Sequence, residues 1–333
     1  MAEKRLKVLI ALYHKLSPWN LPESMVASLR NEFASVDIER ADSQEELERR
    51  IEEVDILFGW RLPREVFLRA RRLKWVHVAA AGVGGSLHKE IIDSPMILTN
   101  CQGIHSIPAA EHAMGLILSL LRKLPLAVKY QIRGEWGTEG MLEGVHQFDE
   151  LYGKTMGIIG LGSIGREIAK RANCFGMRVI ATRRHSLREL PEGVDQLLPP
   201  EELPLLLKGA DWVVISVPLT SRTRGLIGKG ELALMKRSAY LVNISRGKII
   251  QEKALIKALE EGKIAGAALD VFEEEPLPQG SPLYGMDNVI ITPHIAGLSR
   301  YYFERALDIF RSNLSKYIKG EPLINVVDKK EGY

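Results

Sequence analysis

The chain is poor in cysteine, in clustered charge and in long apolar runs. Of its 333 residues only Cys101 and Cys174 are thiols, so neither a disulfide framework nor a paired-cysteine metal site can be assembled. A reducing, cytoplasmic setting is expected, with no metal. Lysine and arginine number 45 against 42 aspartates and glutamates, a net charge of +3. With no block of like charges, nucleic acid is not an expected partner. Apolar stretches such as Met114 to Leu121 stop well short of the roughly 18 residues that span a bilayer. The run from Val8 to Tyr13 ends at His14 and Lys15, too soon for a secretory signal. No membrane partner is expected. What is present, 46% hydrophobic and 26% charged residues, is the balance of a globular chain, and the length predicts two domains.

From residue 155 onward, short β-rich runs alternate with helical patterns. Strands are expected at Thr155–Gly160, Arg178–Thr182, Asp211–Val217, Ala239–Ile244, Ala265–Asp270 and Asn288–Thr292. Helices are expected at Ile164–Phe175, Glu201–Leu207, Gly230–Met235 and Gln251–Glu261, the last closed by Gly262. Runs such as Trp212-Val-Val-Ile215 are apolar on both faces, as in a parallel sheet covered by helices on each side. This predicts a doubly wound α/β domain over residues 103–297. Strands near Lys7–Ala11, Ile56–Gly59, Trp75–Ala79 and Ile97–Thr99, with a charged helix around Ser43–Val54, predict a second α/β domain over 1–102. Pro108 opens a long apolar helix to Leu124 with Ser106 as N-cap. The amphipathic pattern Tyr301–Tyr317 has no strand after it, so residues 298–333 are expected to return to the first domain.

Gly160-Leu-Gly162-Ser163-Ile164-Gly165 directly follows the strand Met156-Gly-Ile-Ile159 and directly precedes a helix, the context in which this spacing binds a dinucleotide. The first glycine permits the turn, the second admits the pyrophosphate to the backbone, and the third lets helix pack on strand. The helix N-terminus supplies amides and a positive dipole end. About 20 residues further on, where an acid usually receives the ribose hydroxyl of NAD, the chain has Thr182, Arg183 and Arg184. Guanidinium groups there suit a 2′-phosphate, so NADP is the favoured cofactor and NAD the alternative.

Three polar residues stand at or just after expected strand ends, where open α/β sheets bind ligands. Arg246, in Asn243-Ile-Ser-Arg-Gly247, can hold a carboxylate in a fork. His294, in Thr292-Pro-His-Ile-Ala-Gly297, can move a proton, and Glu275, in Asp270-Val-Phe-Glu-Glu-Glu-Pro276, can orient it.

These segments, together with Ala110-Glu-His112, Leu151 to Gly165 and Val217-Pro-Leu-Thr220, resemble the D-2-hydroxyacid dehydrogenase family over nearly the whole chain. The resemblance implies a Rossmann domain inserted in a discontinuous, flavodoxin-like substrate domain, and a homodimer built through the nucleotide domain. It implies Arg246, Glu275 and His294 as the catalytic residues. Val217, Pro218, Thr223, Ile244, Ser245, Asp270, Ala296 and Gly297 are implied to complete the dinucleotide site. A 2-keto or 2-hydroxy acid is the implied substrate, its carboxylate on Arg246 and on the amides of Gly82, Val83 and Gly84, with His294 the acid–base group. Glyoxylate/hydroxypyruvate reductases are the nearest reading, and NAD-dependent D-lactate or phosphoglycerate dehydrogenases the alternative. The related nucleotide-sensing corepressors, which keep the same three residues, are a non-catalytic alternative. Leu298, Tyr301, Tyr302 and Trp136 are candidates to line the side-chain pocket.

Overall fold

The computed structural model describes residues 5–16, 19–143 and 148–332. They form two compact units, one running up to Ile104 and resuming at Ser299, the other spanning His105–Leu298.

The first unit is built on β1 (Lys7–Ala11), β2 (Asp37–Arg40), β3 (Ile56–Gly59), β4 (Trp75–Val78) and β5 (Ile97–Asn100). All pairings are parallel and the order is β2-β1-β3-β4-β5, a flavodoxin-like winding. Side chains alternate across the sheet as strand geometry requires. Val8, Ile10, Phe58 and Trp75 meet Val26 and Leu29 on one face, whereas Leu9, Leu57 and Val76 meet Leu47, Val66 and Ile91 on the other. The C-terminal helix Tyr302–Lys319 completes the first of these layers. Its Phe310 stacks on Phe58 at 4.4 Å between centroids and on Trp75 at 5.5 Å. Truncating such a buried ring costs about 3–5 kcal/mol, so this helix is integral to the first unit.

The second unit carries β6 (Thr155–Ile159), β7 (Arg178–Thr182), β8 (Gln196–Leu198), β9 (Trp212–Ile215), β10 (Tyr240–Asn243), β11 (Gly266–Leu269) and β12 (Val289–Ile291). They are parallel, in the order β12-β11-β10-β9-β6-β7-β8. The winding reverses at β6, so the carboxyl ends of β6 and β9 open a crevice of the kind that binds dinucleotides. The helices Ser106–Leu121 and Ser163–Cys174 cover one face, and Leu203–Gly209, Lys229–Leu234 and Glu252–Glu260 the other. Gly262, at φ 60°, stops the last of these.

Several local expectations are corrected. Ser106 is not the N-cap of its helix; it is the first helical residue, and His105 holds the cap position. That helix ends at Leu121 rather than Leu124, because Lys123 takes a left-handed conformation (φ 54°) and a second helix, Leu124–Arg133, starts in a new direction. Glu201–Leu207 divides into a 3-10 turn, Pro200–Glu202, and the helix Leu203–Gly209. Among the described residues no helix is long and apolar enough to cross a membrane.

Candidate dinucleotide and acid–base site

The glycine turn lies at the carboxyl end of β6, and each glycine answers a distinct constraint. Gly160 has φ 98°, and a Cβ there would stand 2.5 Å from Val217 Cγ1. A Cβ on Gly165 would lie 2.4 Å from the Gly160 carbonyl oxygen, so the helix Ser163–Cys174 sits directly on the turn. Gly162 is different: a Cβ would meet nothing within 4 Å. It is also the N-cap of that helix and offers no side chain to the first-turn amides. The amides of Ser163, Ile164 and Gly165 therefore lack a side-chain cap beside an open backbone, which fits a diphosphate.

The end of β7 is stapled to this turn. The Thr182 hydroxyl accepts from Gly160 N at 3.2 Å, and Leu161 N donates to the Thr182 carbonyl at 2.8 Å. Arg183 donates through Nη1 to the Leu161 carbonyl at 2.5 Å and through Nε to the His185 carbonyl at 3.1 Å. Arg183 is thus fixed at the rim of the turn, while Arg184 beside it is exposed. Thr182 is buried and turned inward, holding the turn in place.

Beyond β9 and β10 the loops interlock. Thr223 Oγ1 donates to the Pro218 carbonyl at 2.6 Å, and Ser245 Oγ donates to the Val217 carbonyl. Asn243, fully buried, accepts from Ser245 N and donates to the Arg246 carbonyl, both at 3.1 Å. This leaves Ile244 buried and Arg246 exposed, with its guanidinium donating to the Ser245 carbonyl at 2.7 Å. Gly247 follows because nothing larger fits: a Cβ would lie 1.8 Å from the Phe272 carbonyl carbon. The Arg246 loop is thereby pressed against the loop that carries Glu275.

The third cluster joins the ends of β11 and β12. Glu275 accepts from Phe272 N at 3.1 Å through Oε1, and its Oε2 lies 2.7 Å from His294 Nδ1. His294 is exposed, in a left-handed conformation (φ 54°), with its amide donating to the Asp270 carbonyl at 2.9 Å. The Asp270 carboxylate, 1% exposed, accepts from Ile295 N and Ala296 N at 2.9 Å each and from the Thr292 hydroxyl at 2.6 Å. Its oxygens are committed to the chain itself, so in this structure Asp270 shapes the loop. Gly297 is backed by His105, whose Nδ1 is 3.1 Å from the Gly297 carbonyl and would be 2.7 Å from a Cβ there. Thr292 also lies 2.9 Å from His112 Nε2. Sequence reasoning gave neither residue a role; His112 falls on the buried-facing side of an apolar helix, where a histidine carries no signal of its own.

In the first unit, Gly84–Ser86 forms a 3-10 turn in which Ser86 N donates to the Val83 carbonyl at 2.8 Å. Val83 is buried, and Gly82 and Gly84 are exposed. Tyr302 is removed from the candidate pocket residues: it is buried among Trp19, Trp60 and Phe303, and its hydroxyl donates to the Ala79 carbonyl at 2.6 Å. Among the described residues, no group of three or more His, Cys, Asp or Glu side chains could hold a metal.

A family model described as D-isomer specific 2-hydroxyacid dehydrogenase, NAD binding domain, matches residues 114–296. The chain belongs to the D-isomer specific 2-hydroxyacid dehydrogenase family. Within that family it is 38% identical over 320 residues to a glyoxylate reductase from Pyrococcus furiosus, covering 93% of this chain and 94% of that one. It is 39% identical over 300 residues to a D-3-phosphoglycerate dehydrogenase from Methanocaldococcus jannaschii, covering 89% of this chain but only 56% of that protein. Among solved structures, an NADPH-dependent glyoxylate/hydroxypyruvate reductase from Sinorhizobium meliloti, in complex with NADP and sulfate, is similar at TM-score 0.78. That likeness has 26% identity and covers 99% of this chain and 100% of the other. The matched segment contains the glycine turn, Arg246, Glu275 and His294 and binds a nicotinamide dinucleotide in this family.

Proposed function

We propose that the protein interconverts 2-keto acids and D-2-hydroxy acids, with glyoxylate and hydroxypyruvate as the first substrates to test. The observation that carries this reading is the 2.7 Å pairing of His294 Nδ1 with Glu275, at the carboxyl edge of a sheet whose glycine turn suits a dinucleotide. A bound nicotinamide dinucleotide supplies the hydride. Arg246 binds the substrate carboxylate through its guanidinium fork. Glu275 accepts the Nδ1 proton of His294, which leaves Nε2 to give its proton to the substrate carbonyl oxygen in reduction and to take it back in oxidation.

NADP is the proposed preference. Support comes from the end of β7, where Arg183 is fixed against the glycine turn, Arg184 follows it, and no acid stands in Thr182–Ser186. A homodimer is also proposed. The helix Leu124–Arg133 buries none of its residues, and Ile132 and Trp136 are 80% and 93% exposed, an apolar surface that a second copy would cover. A reducing, cytoplasmic setting accords with the two free cysteines. The 39% identity to a D-3-phosphoglycerate dehydrogenase favours phosphoglycerate oxidation as the second reading.

The test is initial-rate oxidation of NADPH and of NADH with glyoxylate, hydroxypyruvate and pyruvate, alongside oxidation of 3-phosphoglycerate. Turnover of a keto acid that is lost in His294→Ala supports the reading. No turnover of any of these compounds refutes it and favours the nucleotide-sensing alternative.

A further inference from the structure

We propose that His112 and Thr292 are positioning residues, acting on His294 through Asp270; the inference rests on the function proposed above. His294 holds a backbone conformation (φ 54°) that residues with a Cβ seldom adopt, so the surrounding structure must impose it. Asp270 imposes it from both ends. Its main-chain carbonyl accepts from His294 N, and its carboxylate accepts from the two following amides, Ile295 N and Ala296 N, all at 2.9 Å. A carboxylate anchored only to the loop it shapes could move with that loop. The remaining contact is the one that leads elsewhere.

Thr292 Oγ1 lies 2.6 Å from Asp270 Oδ1 and 2.9 Å from His112 Nε2. An ionised carboxylate only accepts, so the single hydroxyl hydrogen of Thr292 is committed to Asp270. The hydroxyl oxygen must then accept from His112, which assigns the proton to Nε2 of that ring. His112 Nε2 is itself 3.5 Å from Asp270 Oδ1, so the same N–H also faces the carboxylate. The direction of donation along the chain from His112 to Thr292 to Asp270 is therefore fixed by the chemistry of its members. His112 stands on the helix Ser106–Leu121, whose Ala109, Ala110, Ala113, Met114 and Ile117 are buried in the core of the same unit. The chain thus ties the His294 loop to a rigid element 180 residues away in sequence. Proton transfer needs donor and acceptor aligned within a fraction of an ångström, and a misplacement near 1 Å can cost about a hundredfold in rate.

The experiment compares wild type with Thr292→Val, Thr292→Ser, His112→Leu and His112→Gln. It reads kcat and KM for keto-acid reduction, together with hydrogen exchange of the Ile295 and Ala296 amides. The expected result is that Thr292→Val and His112→Leu lower kcat by about tenfold or more, leave the KM for NADPH within about threefold, and speed exchange at both amides. Thr292→Ser keeps the hydroxyl and His112→Gln keeps an N–H, so each should return kcat to within about threefold of wild type. The proposal is overturned if kcat and exchange are unchanged in the Val and Leu variants, or if Ser and Gln are as deficient as they are. Should Thr292→Val fail to fold, His112→Leu against His112→Gln decides the same question. If the wild type reduces no keto acid, the proposed function fails, while the exchange comparison still decides whether His112 and Thr292 hold the loop.

Discussion

Acidification should destabilise the first unit through one histidine. His77, on β4, is fully buried, with Nδ1 2.7 Å from Thr99 Oγ1 and Nε2 3.2 Å from Cys101 Sγ. Burial among Phe58, Trp75 and Phe310 pushes its pKa down from 6.5 to about 3. The folded protein therefore keeps the ring neutral where the unfolded chain takes up a proton. That stability is fully present above pH 6.5 and is lost as pH falls from 6.5 toward 3. At about 1.4 kcal/mol per pH unit below the unfolded value, a drop from about pH 7.5 to 4.5 removes about 3 kcal/mol. Against a typical total of about 5–15 kcal/mol this is a large fraction. Stopping at pH 4.5 keeps Glu90 ionised, because its hydrogen bond with Arg64 holds it down to about 2. The assay is urea unfolding followed by tryptophan fluorescence, with Trp75 6.1 Å from the His77 ring as an internal reporter. His77→Gln retains hydrogen bonding but cannot titrate. It should start less stable and then lose about 3 kcal/mol less than wild type over the same pH interval. Equal losses in the two proteins refute the reasoning.

Four further outcomes follow from the site. Gly165→Ala places a methyl 2.4 Å from the Gly160 carbonyl oxygen, so the helix must shift off the turn; the KM for dinucleotide should rise about tenfold or more in steady-state kinetics. Arg183→Asp should lower the ratio of kcat/KM for NADPH over NADH by about a hundredfold, since a carboxylate repels a 2′-phosphate and accepts from a ribose hydroxyl. Glu275→Gln replaces the carboxylate 2.7 Å from His294 Nδ1 with an amide that no longer holds the ring as a pure acceptor; kcat for keto-acid reduction should fall by about tenfold or more while the KM for dinucleotide stays within about threefold. An unchanged kcat would exclude this role for Glu275. Ile132→Glu puts a charge on the exposed apolar helix and, if that helix forms the proposed homodimer, should give monomer where wild type gives dimer in light scattering, with secondary structure unchanged by circular dichroism.

The parts of the fold that could be read in advance are those where local pattern and tertiary demand coincide. Central strands such as β3, β6, β7 and β9 are apolar on both faces, because a parallel sheet is covered on both sides. The strands that escaped notice, β2 with Asp-Ile-Glu-Arg and β8 with Gln-Leu-Leu, are short sheet edges with little or mixed apolar signal. Their pairing is a consequence of the neighbouring strand. The break at Lys123 is equally silent locally, since lysine has no special liking for φ 54°; it follows from the next helix taking a different path.

By itself the sequence singled out the residues proposed to do the chemistry. The glycine spacing, Arg246, Glu275 and His294 are legible because turn geometry, anion binding and proton transfer each demand particular residue types at strand ends. What only the tertiary structure decided is how those residues are held. Gly247 is required by Phe272, Gly297 by His105, and the Asp270 clasp around His294 extends to Thr292 and to His112. Each of these contacts joins segments that no periodicity connects. The physical reason is that a parallel sheet gathers the carboxyl ends of distant strands along one edge. A hydrogen bond across 180 residues then costs no further chain ordering once that edge is built.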